Sequence, residues 1–408
     1  MTNMADGGRR ARVLILGGTG FIGRNLVSYL VNNELVTKVR VADKVPPQMA
    51  WLNSKHKEAF ANPLVEFKHS NLINIASVES AFADVEGPFD FAINLAAETK
   101  YGQTDPVYQE GIVKLSLNCA REAAKRNVKI YIEASSSQMY SADKPEDEEL
   151  PEHHSITEMM MAATEEKKCD PWTFVAKHKL SVEKELKSIP DLNVVIVRPA
   201  IVYGPGDRQG LTPRLIIGAI YKYMRETMKM LWTKELKMNT VHVEDMCRAL
   251  WFLCNHGKTG EIYHIVDKGD TTQGKISELI STIFNIEHEF VGSTMSSLAK
   301  LNMNSIVEEI NDKHMEPWAD ACQRDNVTNT PLNPFIDQEL LYNKHLHLSG
   351  SKLESLGFSC QKPELTIDYM KEVLEDYLHT RLFPPSLLSD QKLWSKPIEE
   401  EDAEDSGQ

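Results

Sequence analysis

A short apolar run that ends in clustered glycines constrains this chain more than any other feature. Val13 to Leu16 are all apolar, Gly17-Gly18-Thr19-Gly20-Phe21-Ile22-Gly23 follow at once, and Phe21, Ile22, Leu26, Leu30 and Val31 then recur at helical spacing. An unbroken apolar run suits a strand buried on both faces, and the spacing after it suits an amphipathic helix. The unit therefore reads strand, tight turn, helix. Glycine permits the sharp turn. A side chain at Gly20 would obstruct a pyrophosphate, Gly23 lets the helix pack closely, and the helix N-terminus offers free N–H groups and a positive dipole end to phosphate. Asp43 follows about 20 residues later, at the end of a second predicted strand, where a carboxylate can accept both ribose hydroxyls and repels a 2′-phosphate. The pattern predicts NAD in preference to NADP, with Arg40 and Lys44 beside Asp43 as the residues that could soften the preference.

Further strands are predicted at 38–42, 64–68, 91–96, 129–135 and 192–199, with a helix from about Val107 to Arg126 and other helical stretches between most of them. Alternating β and α with short apolar strands argues for an α/β, Rossmann-type, doubly wound parallel sheet. The organisation expected is a flexible lead over 1–10, a nucleotide-binding domain over 11–204, and a smaller mixed lobe over 205–380 that interleaves with it. An insertion at about 286–345 and an extension over 381–408 complete the chain. Residues 141–170 break the pattern and read as an exposed loop with a short helix, in which Met159, Met160 and Met161 mark a contact surface or a partly buried turn. Residues 365–379 form an amphipathic helix with Ile367, Met370, Val373, Leu374 and Tyr377 on one side.

Composition excludes several classes. The formal charge is −14, from 45 basic and 59 acidic residues, which disfavours nucleic acid and anionic membrane as partners. Part of that charge is local: residues 399–408 hold six acids and no base, so the remainder carries −8. The six cysteines are scattered without metal-ligand spacing, so no metal site and no disulfide framework is expected. The N-terminus lacks an apolar signal core and no apolar run approaches ~18 residues, which reads as a cytoplasmic protein with no membrane span. The Asn326-Val327-Thr328 sequon is then incidental.

Over residues 11–380 the chain resembles an extended short-chain dehydrogenase/reductase of the NAD-dependent epimerase/dehydratase type. The resemblance rests on GGTGFIG (17–23), Asn94-Leu95-Ala96-Ala97, Ala134-Ser135-Ser136-Ser137-Gln138-Met139-Tyr140, RPAIVYGPGD (198–207), Val241-His242-Val243-Glu244-Asp245 and Ser351-Lys352-Leu353. It implies that Gly17, Thr19, Gly20, Phe21, Ile22, Gly23, Asp43, Asn71, Leu72, Leu95, Ala96, Ala97, Lys179 and Pro199 contact the cofactor. It places Ser136 in the family's catalytic Ser/Thr position and puts Ser136, Tyr203 and Arg208 at the substrate pocket. Relatives act on nucleotide sugars, steroids or phenolic carbonyls, and many dimerise through two long helices.

The match fails at the proton donor. The family places a Tyr four residues before a Lys, so that both share one helix face and the ammonium lowers the phenol pKa. Aligning Lys179-Leu180-Ser181-Val182-Glu183 with that turn puts Val175 at the Tyr position, and shifting to Lys177 puts Thr173 there. Neither is an acid of useful strength. Ile112 stands where the family has a supporting Asn, and Asn71 where it has an Asp. His178 is the one nearby substitute, since imidazole titrates near neutrality; Tyr140 and Tyr203 read as packing residues, and His153 and His154 as solvent-exposed. Three functions follow: an NAD(H)-binding protein without ordinary dehydrogenase turnover, acting as sensor or scaffold; an active epimerase, dehydratase or reductase of a nucleotide-sugar or sterol-like substrate with a rearranged donor; and a structural interaction module. The intact glycine turn argues against the third, and intact cofactor motifs beside Val175 favour the first.

Overall fold

The architecture follows from where the chain goes after its first strand. A computed structural model describes residues 10–140, 162–292 and 303–388. Most of the expected lead, His153, His154, Met159, Met160 and Met161, and the acidic tail lie outside the described residues. β1 (Ala11–Leu16), α1 (Phe21–Asn32), β2 (Val36–Asp43), α2 (Ser54–Ala61), β3 (Val65–His69), α3 (Ile75–Phe82) and β4 (Phe91–Asn94) alternate as the sequence predicts. α4 (Asp105–Tyr108) continues through a π-helical turn, Gln109–Lys114, into α5 (Leu115–Lys125). β5 (Ile130–Ala134), α6 (Phe174–Leu186) and β6 (Val194–Pro199) follow. The remaining stretch contains β7 (Ile201–Tyr203), α7 (Thr212–Met224), β8 (Met228–Met230), β9 (Thr240–His242), α8 (Val243–His256), β10 (Ile262–Ile265), α9 (Gln273–Phe284), β11 (His288–Phe290), α10 (Met303–Arg324), α11 (Ser351–Ser355) and α12 (Ile367–His379).

Seven strands form one parallel sheet in the order β10-β6-β5-β4-β1-β2-β3. The chain winds outward from β1 to β3, then returns to the other side of β1 as β4. Such a reversal opens a crevice outside the carboxyl ends of the strands, which is where ligands bind in sheets of this kind. Both faces of the sheet are covered by apolar clusters, one around Val13, Ile15 and Leu26, the other around Leu14, Leu16 and Ile112. A separate core built on Ile216, Ile220, Ile280, Phe284, Met370 and Leu374 holds the second lobe.

The seventh strand and its helix come from the stretch that the sequence assigns to the second lobe. β10 pairs with β6 and α8 packs on α1, so the chain crosses back into the first domain after residue 204. Its sequence, Ile262-Tyr263-His264-Ile265, hides the strand, because His264 is fully buried and held by Tyr140 and the Ser349 carbonyl. The 286–345 insertion contains the long helix α10, which packs on α7, and a 3-10 turn at Gln338–Leu341. α12 begins two residues later than predicted, at Ile367, capped by Thr366, and buries Met370, Val373, Leu374 and Tyr377.

Two glycines fix the turn after β1. Gly17 has φ +78°, and a Cβ there would lie 2.7 Å from the Ala96 backbone. A Cβ on Gly23 would lie 2.5 Å from the Gly18 Cα, so the helix packs on the turn itself. Neither obstacle is a movable side chain. Gly23→Ala is expected to destabilise the protein by about 2 kcal/mol through backbone overpacking, measured by urea unfolding.

Candidate active site

The turn presents a phosphate cradle. Gly20 is the N-cap of α1, no side chain caps that terminus, and no acid occupies the first turn, so the N–H groups of Phe21, Ile22 and Gly23 face outward unclaimed by a side-chain cap. A Cβ on Gly20 would meet only the Gly17 carbonyl at 3.1 Å, which leaves open space beside it. Asp43 accepts from Thr19 N at 3.1 Å and Val45 N at 3.0 Å, one bond per carboxylate oxygen, and has further lone pairs for a ribose diol. Thr19 is buried and donates to the Val45 carbonyl, tying the turn to the loop after β2. These features fit NAD. The Arg40 guanidinium near Asp43 is committed to Glu66, Asp84 and the Ala81 and Ala83 carbonyls.

The sequence reading misses Arg24, which stitches this region together. Its guanidinium donates to the carbonyls of Thr19, Gly20 and Trp51. Burial, with the neighbouring Arg208 second, lowers its pKa to about 10, so it keeps its charge at neutral pH. Leu95, Ala96 and Ala97 close the end of β4, with Leu95 N donating to the Leu16 carbonyl and Ala96 N to Asn94 Oδ1. Leu72 is buried, whereas Asn71 is exposed and its Oδ1 accepts from Ile73 N. Pro199 ends β6 and its carbonyl accepts from Ser137 Oγ at 2.5 Å.

The residues assigned to catalysis are arranged differently from expectation. Val175 is 7% exposed and lies in the apolar cluster on one face of the sheet. Lys179 Nζ donates to the Ala134 carbonyl at 2.6 Å and pairs with Glu133 at 3.4 Å. Glu133 is completely buried, and its carboxylate also accepts from Ser116 Oγ at 2.9 Å, Asn94 Nδ2 at 2.7 Å and Tyr131 OH at 3.0 Å. His178, the candidate substitute acid, is held by two partners. Its Nδ1 meets the Phe174 carbonyl at 2.8 Å, its Nε2 meets Asp105 at 3.2 Å, and its ring lies against Tyr108, so it bridges α6 to α4. Tyr203 is fully buried, with its ring edge-on to His242, as a packing residue is. Tyr140 is a packing residue hydrogen-bonded to Arg198 and His264.

Ser136 is partly exposed just beyond β5, and its Oγ accepts from Gln138 N at 3.1 Å. Gln138 Oε1 in turn accepts from Thr173 Oγ1 at 3.0 Å and Tyr101 OH at 3.2 Å. Burial pushes the Tyr101 phenol up to about 12. Glu339, from the 3-10 turn, accepts from Phe174 N at 3.0 Å at the start of α6. Two guanidiniums come from the segment that follows β7. The Asp207 carboxylate accepts the N–H groups of Gln209, Gly210, Leu211 and Thr212, which fixes the loop at the start of α7. Arg208 lies over the Trp51 ring at 5.7 Å. The Arg214 guanidinium, partly buried, has no hydrogen-bond or ion-pair partner among the described residues, and burial lowers its pKa to about 10. Among the described residues no three His, Cys, Asp or Glu side chains gather as a metal centre, and no helix is long and apolar enough to cross a membrane.

This fold, with its nucleotide turn, defines an extended short-chain dehydrogenase/reductase. Residues 13–266, more than half of the chain, match the NAD dependent epimerase/dehydratase family, and the chain belongs to that family. It is 23% identical over 296 residues to dTDP-glucose 4,6-dehydratase 1 of Escherichia coli K12, covering 69% of this chain and 78% of that one. It is 25% identical over 269 residues to a probable dTDP-glucose 4,6-dehydratase of Sinorhizobium fredii, covering 62% and 71%. Among solved structures, the dTDP-glucose 4,6-dehydratase DesIV of Streptomyces venezuelae with NAD bound superposes with a TM-score of 0.63 at 17% identity, over 91% of this chain and 98% of that one. The NAD complex of Thermus thermophilus UDP-glucose 4-epimerase gives 0.59 at 19% identity, over 90% and 99%.

Two stability predictions follow from the buried acids. Glu133→Ala leaves Lys179 buried without its counter-charge and strips three neutral donors of their acceptor, so it should cost about 3–5 kcal/mol in denaturant unfolding. Burial raises the Glu339 pKa above its ordinary 4.5, more than the Phe174 N–H lowers it. An acid raised in the folded state penalises folding above the folded pKa, and the penalty vanishes below the unfolded value. Glu339→Gln should therefore melt above wild type at pH 8, and the difference should shrink as pH falls toward 4.

Proposed function

We propose that this protein binds NAD(H) together with a nucleotide-diphosphate sugar, and that it does so without the turnover a Tyr–Lys relay sustains. One observation carries the reading: the cofactor turn is complete, while Lys179 is drawn onto Ala134 and Glu133 and position 175 is an apolar core residue. Val175 has no proton to give. An ammonium committed to a buried carboxylate is poorly placed to tune a phenol or hold ribose hydroxyls. NAD over NADP is supported by Asp43 at the end of β2, and by the neighbours solved with NAD. The nucleotide-diphosphate class is supported by the unpartnered Arg214 and by Arg208, because guanidinium forks match phosphate oxygens. The names of the relatives point to the same class.

An active enzyme with a rearranged donor is the second reading. It is favoured by the Ser136–Gln138–Tyr101 chain of hydrogen bonds, which brings a protonated phenol from another element to the end of β5. Calorimetry separates the readings from a structural module. Wild type should bind NAD+ and Gly20→Val should not; absence of binding to wild type would leave only the module. With dTDP-glucose or UDP-glucose present, chromatography should find no new sugar nucleotide. Val175→Tyr alone should not create turnover, because Lys179 stays held. Steady-state turnover abolished by Ser136→Ala or Lys179→Ala would overturn the first reading in favour of the second.

A further inference from the structure

Three segments meet beside the glycine turn, and Trp51 ties them together. It lies in the loop between β2 and α2 at φ +51°. That left-handed conformation is an outlier for a bulky side chain and persists only where the surroundings hold it. The carbonyl of Trp51 accepts from Arg24 Nη1 at 3.0 Å, and the same guanidinium holds the Gly20 and Thr19 carbonyls at 3.1 and 2.8 Å. The indole, partly buried, packs against the core of the second lobe, and the Arg208 guanidinium lies over its face at 5.7 Å. Two residues on, Asn53 Nδ2 donates to Asp376 of α12 at 2.6 Å. From the lobe side, Gly206 comes so close that a Cβ there would lie 3.6 Å from both Phe21 and Arg24.

We infer that Trp51 is a positioning residue that couples cofactor binding to diphosphate binding: it braces the nucleotide turn through Arg24 and presents Arg208 on its ring, so that each ligand favours the same docked arrangement. The inference rests on the nucleotide-diphosphate reading above and adds how the two sites communicate. The Arg208 guanidinium forms no hydrogen bond or ion pair among the described residues, and a guanidinium stacked on an indole keeps N–H donors for phosphate oxygens. Arg24 and Arg208 repel each other across this junction, with Asp43 and Asp376 as the opposing charges. A phosphate group at either guanidinium offsets that repulsion, which is a cost only while the indole is docked. Were the indole to withdraw, Arg208 would lose its platform and Arg24 one of its three carbonyls together. A ligand that selects the docked arrangement at one site therefore selects it at the other, and such coupling is reciprocal. The backbone fits this role, because tryptophan stands at a φ that glycine would adopt without strain.

The test is calorimetric titration of the full chain with UDP, with and without saturating NAD+. NAD+ should tighten UDP binding about tenfold, and UDP should tighten NAD+ binding by the same factor. Trp51→Gly suits the left-handed backbone and removes the indole; it should still bind each ligand but lose most of that increment. Trp51→Phe, which restores an aromatic face, should recover part of it. The ratio of affinities is the decisive readout, since a purely structural role would leave it unchanged. Arg208→Lys keeps the charge without the planar stack; it should lose the increment as well, and keeps the test decisive if the Trp51 variants do not fold. Equal UDP affinity with and without NAD+ in wild type, or a folded Trp51→Gly that retains the increment, would overturn the coupling alone. Failure of UDP to bind the NAD+-loaded chain would overturn the nucleotide-diphosphate reading and the coupling with it.

Discussion

The carboxylate of Glu133 is the point on which the interior of the first domain converges. It sits on the interior strand β5 with no exposure to water and draws in donors from β4, α5, α6 and its own strand. An unpaired charge in such a place would be prohibitive, and the structure answers with three neutral donors and one ammonium. The same arrangement decides where Lys179 can be. Fold and chemistry are thereby coupled: the buried carboxylate on β5 also holds the ammonium of Lys179.

The lobes are joined by polar contacts laid over apolar cores. Arg24 holds the nucleotide turn to the loop carrying Trp51, and Arg208 stacks on that same indole from the lobe side. Asn25 donates to the Pro205 carbonyl, and Tyr377 of α12 donates to the Asp207 carbonyl, so the last helix braces the loop that presents Arg208. Glu339 adds a contact from the insertion to the start of α6. The Asn25–Pro205, Arg208–Trp51 and Phe174–Glu339 contacts each join residues before 204 to residues after it.

Much of the fold was legible from local pattern. Six strands, the glycine turn, the amphipathic α12 and the aspartate after β2 all announce themselves within short windows, because period and turn chemistry are local properties. The missed features are those whose meaning comes from partners distant in sequence. β10 carries a histidine that becomes acceptable only when Tyr140 and Ser349 reach it. Val107 to Arg126 reads as one helix and contains a π-helical turn at Gln109–Lys114, with Ile112 buried at its centre. Glu133 was visible as a charge inside the apolar strand Ile130–Ala134, a signal that could have flagged the network. Tyr101, Gln138, Arg214 and Glu339 gave no such signal, since each is an ordinary residue in a loop or at a helix end. Spacing places a residue such as His178 or Tyr203 on a helix or strand but does not say what stands opposite it.

Sequence alone determined the class of sheet, the cofactor turn and the loss of a hydroxyl at position 175, because each depends on residue identity at fixed spacing along a single element. Tertiary structure decided what that loss means. Only the packed chain shows that Lys179 is held by Glu133, that His178 is spent between α4 and α6, and that an insertion some 165 residues downstream brings a carboxylate to the start of α6. Contacts of that separation are set by how the layers stack, and no window of sequence contains both partners.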